Sequence, residues 1–111
     1  EKQMKILSAD LERSFVTGRV SHIKTIWPDR FLEMGEGAVT KFVADTISFA
    51  KTMNIVIEYD VARYIDLIFE YDFAPDRMPD IPWMKDILSN DSLDGSAKLD
   101  DLYEQLELTS Q

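Results

Sequence analysis

Apolar side chains recur along this chain at three- and four-residue steps, the period of a helix buried on one face. Met4, Leu7, Leu11, Phe15, Ile23 and Trp27 mark the first such stripe, which predicts a helix over about residues 2–26. Val20 falls out of step and Gly18 sits at the slip, so a kink or a change of register is expected there. Pro28 stops that helix, because it lacks an N–H and restricts Trp27 before it. The stretch from Pro28 to Gly35 reads as little more than a turn of helix. A second stripe, Val39, Phe42, Val43, Ile47, Ala50 and Met53, predicts a helix over 36–53, and Asn54 suits the left-handed position that closes a helix. Ile55, Val56 and Ile57 form the only β-like run and read as a buried connector.

A third stripe of Val61, Tyr64, Ile65, Ile68 and Phe69 predicts a helix over 58–71. The segment from Phe73 to Pro82 holds three prolines in ten residues and reads as a loop. Pro82 then opens a short helix over 82–89, with Asp80 available as its cap. Turn chemistry from Asn90 to Gly95 precedes a last helix over 96–106, with Ser96 as its expected cap and Leu99, Leu102, Tyr103 and Leu106 as its stripe. The pattern predicts an all-α fold, a compact single-domain bundle of about five helices spanning 1–111.

Composition narrows the chemistry. The chain has no Cys and one His, so thiolate zinc sites, cysteine nucleophiles, disulfides and multi-histidine metal sites are absent by content. A net charge of -9 argues against nucleic acid as the main partner, which requires a basic footprint. The segment Glu1–Lys5 lacks the basic-then-apolar shape of a signal peptide, and no apolar run is long enough to span a membrane, so no membrane insertion and a cytoplasmic location are expected.

The charge is also unevenly placed. Residues 1–57 carry seven acids and eight bases, whereas 58–111 carry fourteen acids and only four bases, Arg63, Arg77, Lys85 and Lys98. Such asymmetry steers association with a partner of opposite charge, or simply keeps a surface solvated. No motif for a nucleophile, a phosphate loop or a metalloprotease helix is present, and His22 lies on the first helix with no nucleophile beside it. The frame Asn90-x-Ser92-x-Asp94-Gly95 begins like a calcium loop, but Lys98 and Asp101 stand where further oxygen ligands belong, so a helix-capping turn is the expected reading. No catalytic residue, metal or cofactor is assigned, and the chain reads as a non-enzyme. The aromatic and acidic residues around the proline-rich loop carry the stronger signal for a protein contact: Tyr59, Tyr64, Glu70, Tyr71, Asp72, Phe73, Asp76, Met78, Asp80 and Trp83. The competing reading pins that loop to the core through Phe73 and Trp83.

The run from Tyr59 to Phe73, with Asp80-Ile81-Pro82-Trp83, Ile87-Leu88 and Leu102-Tyr103 behind it and Trp27-Pro28 and Gly35-Glu36-Gly37 ahead, resembles a group of short bacterial proteins encoded beside type VI secretion spike and effector genes. The likeness covers roughly Ile26 to Tyr103. It departs from the group at Asn54, where a Gly is usual, and at Ile57, where Ser or Thr is usual. The resemblance implies an accessory or adaptor (chaperone-like) partner of an effector or spike protein. Its alternative is an immunity protein that occludes the active site of a cognate toxin.

Overall fold

The computed structural model describes residues 6–71 and 81–109. Among these residues six helices follow one another: α1 (Ala9–Ile26), α2 (Pro28–Met34), α3 (Glu36–Thr52), α4 (Glu58–Glu70), α5 (Pro82–Leu88) and α6 (Gly95–Thr109). The fold is all-α, with one helix more than the hydrophobic pattern predicts. α1, α2 and α3 pack on one another, α4 lies between α3 and α6, and α5 covers α6.

The first helix is shorter at its start than the stripe suggests. Ile6 pairs with Ile57 in an isolated antiparallel bridge, and the Leu7 N–H donates to the Val56 carbonyl at 2.8 Å. Leu7 is therefore buried from extended chain rather than from a helix. Ser8 stands at the N-cap in extended geometry, and its carbonyl accepts from Leu11 and Glu12 at 3.0 and 3.1 Å. Residues 2–5 of the expected helix lie outside the described residues. α1 runs through Gly18 as one helix, and a Cβ added there would meet nothing within 4 Å.

Pro28, which ends α1, is also the first residue of α2, where its fixed φ fits and its missing N–H costs nothing. Gly35 closes α2 at φ 89°, a conformation open to glycine, while its carbonyl takes the Val39 N–H at 3.0 Å to start α3. α3 ends in a Schellman arrangement. Ile55 N–H returns to the Ala50 carbonyl at 3.0 Å, Asn54 N–H to Lys51 at 3.1 Å, and Asn54 takes the left-handed turn at φ 61°. That turn delivers Ile55 into the core and aims the chain into α4.

α4 is the central helix: Asp60, Val61, Tyr64, Ile65, Leu67, Ile68 and Phe69 are all buried. Val39, Val43, Ile47 and Ala50 meet it from α3, while Leu99, Leu102 and Leu106 of α6 complete the interior with Met84 and Leu88 of α5. An aromatic row missing from the sequence reading joins the two halves: Phe69 packs 5.3 Å from Trp27 and 5.2 Å from Phe42 between ring centroids, with the Arg30 guanidinium 4.8 Å above its ring.

The start of α6 is held by contacts that its apolar stripe does not reveal. Asp94, not Ser96, caps the helix, its Oδ1 accepting the Ala97 N–H at 2.8 Å. Ser96 instead donates to Asp60 Oδ2 at 2.5 Å. Asn90 Oδ1 accepts the Ser92 N–H at 2.9 Å, so the calcium-like segment is built as a turn followed by a cap. The Asp80 expected to cap α5 lies outside the described residues. Gly95 lies so close to the α3–α4 corner that a Cβ would stand 3.1 Å from both Asn54 O and Ile55 Cα. Because those neighbours are backbone, Gly95→Ala is expected to destabilise the fold by about 1–3 kcal/mol through overpacking, read as a lowered denaturant midpoint at unchanged m-value.

Candidate protein-binding face

α4 carries Tyr59, Arg63, Asp66 and Glu70 at steps of four, three and four residues, which places them on one stripe. α6 presents Asp100, Tyr103, Glu104 and Glu107 in the same manner. The stripes adjoin, because Arg63 joins them. Its Nη2 meets Asp100 Oδ1 at 2.7 Å and its Nη1 lies 3.4 Å from Asp60 Oδ1. The guanidinium sits 5.5 Å from the Tyr59 ring centroid and 5.4 Å from that of Tyr103, in cation–π range of both. Tyr103 closes the arrangement by donating its hydroxyl to the Arg63 carbonyl at 2.9 Å.

Beyond this clamp the face is acidic. Lys98 is the only base in α6 and points inward, so no cation of that helix offsets its outer carboxylates. Glu70, Glu104 and Glu107 are exposed and have no cationic partner among the described residues. Burial, and then the nearby Asp66 and Glu70 carboxylates, push the Tyr103 hydroxyl above its ordinary range, with Arg63 opposing them. Tyr103 therefore remains a neutral phenol across the physiological range.

On its other side Asp66 faces α1. Its Oδ1 is shut from solvent and lies 3.4 Å from His22 Nε2 and 3.8 Å from Arg19 Nη1, neither aligned as a hydrogen bond. Burial raises the Asp66 pKa, while His22 and Arg19 pull it back. His22 also meets the edge of Trp27 at 5.9 Å, so the single histidine is a packing and pairing residue. One turn away, α1 and α4 separate into an open groove of about 400 Å³ lined by Ser14, Phe15, Gly18, Arg19, Glu58, Tyr59 and Ala62. Gly18, with no side chain to fill it, leaves that space.

The contact residues expected from sequence separate into three groups where the structure describes them. Tyr59, 41% exposed, and Glu70 lie on the face. Tyr71 and Trp83 are half-buried and pack against the core. Tyr64 is 0% exposed, so its assignment to a contact surface is corrected: it is a core residue whose hydroxyl has no hydrogen-bond partner and whose pKa burial raises. Asp72, Phe73, Asp76, Met78 and Asp80 lie outside the described residues. Sequence reasoning missed Tyr103, Glu104 and Glu107 as part of the face, because Tyr103 was counted only within the apolar stripe. The signal was present in α6, whose positions between the leucines are acidic with one lysine.

No helix among the described residues is long and apolar enough to cross a membrane, and they contain no cluster of three or more His, Cys, Asp or Glu arranged to hold a metal. No protein family, curated protein or solved structure matches this chain.

Asp66 gives a pH signature for the α1–α4 junction. Its folded pKa lies above the ordinary 3.8, so its stabilising contribution is present below that value and lost as pH rises through the folded pKa. Asp66→Asn, which cannot ionise, is expected to raise the melting temperature at pH 7, with the gain shrinking as pH falls toward 4. Melting curves across that interval check the sign.

Proposed function

We propose that the protein is a non-enzymatic protein-binding module whose contact face is the adjoining outer surface of α4 and α6. One observation carries the reading: Tyr59 and Tyr103 stand beside Glu70, Glu104 and Glu107, which have no cationic partner among the described residues, and next to an open groove that Tyr59 also lines. Tyrosines supply contact area with few rotatable bonds, and an unpaired carboxylate row directs a basic partner to them. The resemblance to proteins encoded beside type VI secretion genes supports an accessory or adaptor role toward an effector or spike protein. The same acidic face also suits an immunity protein, in which it would cover the basic substrate cleft of a toxin. Co-expression with the neighbouring toxin distinguishes the roles. Survival that depends on this protein marks immunity, and improved secretion without protection marks the adaptor.

The face itself is tested by the double variant Glu104→Lys/Glu107→Lys. Both side chains are exposed and have no ion pair among the described residues, so the fold is expected to survive with its melting temperature little changed. Affinity for the captured partner is expected to fall by about tenfold or more, with a slower association rate at low salt and little difference at high salt. Unchanged affinity and association rate in that variant would place the contact elsewhere.

A further inference from the structure

We infer that the cavity between the end of α3 and the start of α6 is a binding site for a compact oxyanion of phosphate type. Lys98 is 2% exposed, yet no carboxylate pairs with it among the described residues. Its only acceptor there is the Met53 carbonyl, at 2.6 Å. An ammonium has three N–H donors and a buried cation is costly without a counter-charge. The carbonyl at the end of α3 supplies a partial negative charge and uses one donor. The other two donors have no protein acceptor among the described residues.

The cavity beside Lys98 has a volume of about 150 Å³ and is lined by Thr52, Met53, Asn54, Lys85, Leu88, Ser89 and Asp91 as well as Lys98 itself. Two of the four bases in the acidic half of the chain, Lys85 and Lys98, thus meet at one cavity. Lys85 is exposed and has no ion pair among the described residues. Asn54 is held in its left-handed turn and adds a carboxamide with no hydrogen-bond partner among the described residues. The hydroxyls of Thr52 and Ser89 already donate to the Phe49 and Lys85 carbonyls, so the donors left for a ligand are the two ammonium groups and the amide. Asp91 is the one carboxylate of the lining, and the formal charge there remains positive. That space suits one tetrahedral oxyanion.

Amide shifts of the isotope-labelled protein, titrated with sodium phosphate against sodium chloride at matched ionic strength, test the site directly. Saturable shifts centred on Asn54, Lys85, Ser89 and Lys98 are expected in phosphate and not in chloride. Lys85→Gln, an exposed substitution that leaves the core intact, and Lys98→Met are each expected to weaken phosphate at least tenfold, and Asp91→Asn to tighten it. Should Lys98→Met fail to fold, the wild-type map and Lys85→Gln still decide the matter. A parallel titration with phenyl phosphate identifies the source. Weaker binding than phosphate assigns the site to the free anion, and equal binding assigns it to a phosphoryl group on a larger molecule. Shifts that do not saturate, that chloride reproduces, or that Lys85→Gln leaves unchanged would overturn the inference.

Discussion

Asp60 has no access to water, and the packing of the molecule is organised around keeping its charge satisfied. It lies in the first turn of α4, where a carboxylate complements the helix dipole. Ser96 reaches it from α6, and Arg63, one turn along α4, contacts it while gripping Asp100. A buried carboxylate left without these partners would cost several kcal/mol, so α6 is constrained to place Ser96 against α4. That requirement brings Gly95 within van der Waals reach of the Asn54–Ile55 backbone, where a larger residue has no room. The Schellman turn, the short bridge between Ile6 and Ile57, and the entry of α6 therefore form one junction, and the apolar stripes of α3, α4 and α6 are aligned by it.

The same junction turns a compositional fact into a surface. α6 contains four acids and one lysine, and the lysine is drawn inside to the Met53 carbonyl. Its outward face is consequently without a base. Arg63 is the base nearest that face, but it is bound between two tyrosine rings and two aspartates. Glu70, Glu104 and Glu107 thus stand without a cationic partner among the described residues, on the side of α4 and α6 where Tyr59 is exposed. Two bases of the same half, Lys85 and Lys98, meet instead at the α3–α6 cavity.

Much of this was legible in sequence where burial alone decides structure. The stripes of α3 and α4 face the core as their period predicts, and Asn54 takes the left-handed turn its side chain tolerates. The short helix α2 was underestimated because seven residues show too little periodicity. Its signals were local: Pro28 at the first position, Asp29 in the first turn and Gly35 at the close. The start of α1 is not visible in the pattern, because Leu7 keeps the helical spacing while lying in extended chain. Only the pairing with Val56 and Ile57, some fifty residues away, decides its state. Ser96 was assigned to capping for the same reason. A hydroxyl at a helix start is a local signal, and its actual acceptor, Asp60, belongs to another helix. Of the expected contact residues, Tyr59 and Glu70 are surface groups and Tyr64 is a core residue, whereas Tyr103 lies among the core leucines of its helix in sequence and yet reaches Arg63.

The buried polar groups of the interior differ in how completely they are satisfied, and that difference separates structural from ligand-accepting capacity. Asp60 is bonded on both oxygens and has nothing left to offer. Tyr64 lacks a partner altogether, but it is enclosed in the core and none of the cavities described above reaches it. Leaving such a hydroxyl unmade costs about 1–3 kcal/mol without giving any function. Asp66 pairs with His22 and Arg19 while burial raises its pKa, so its contribution to stability varies with pH. Lys98 combines incomplete satisfaction with an open cavity and a second cation at its edge. Unused donors at a place a small ligand can enter are a different situation from unused donors in a sealed core, because there an incoming anion recovers the desolvation cost that folding has already imposed.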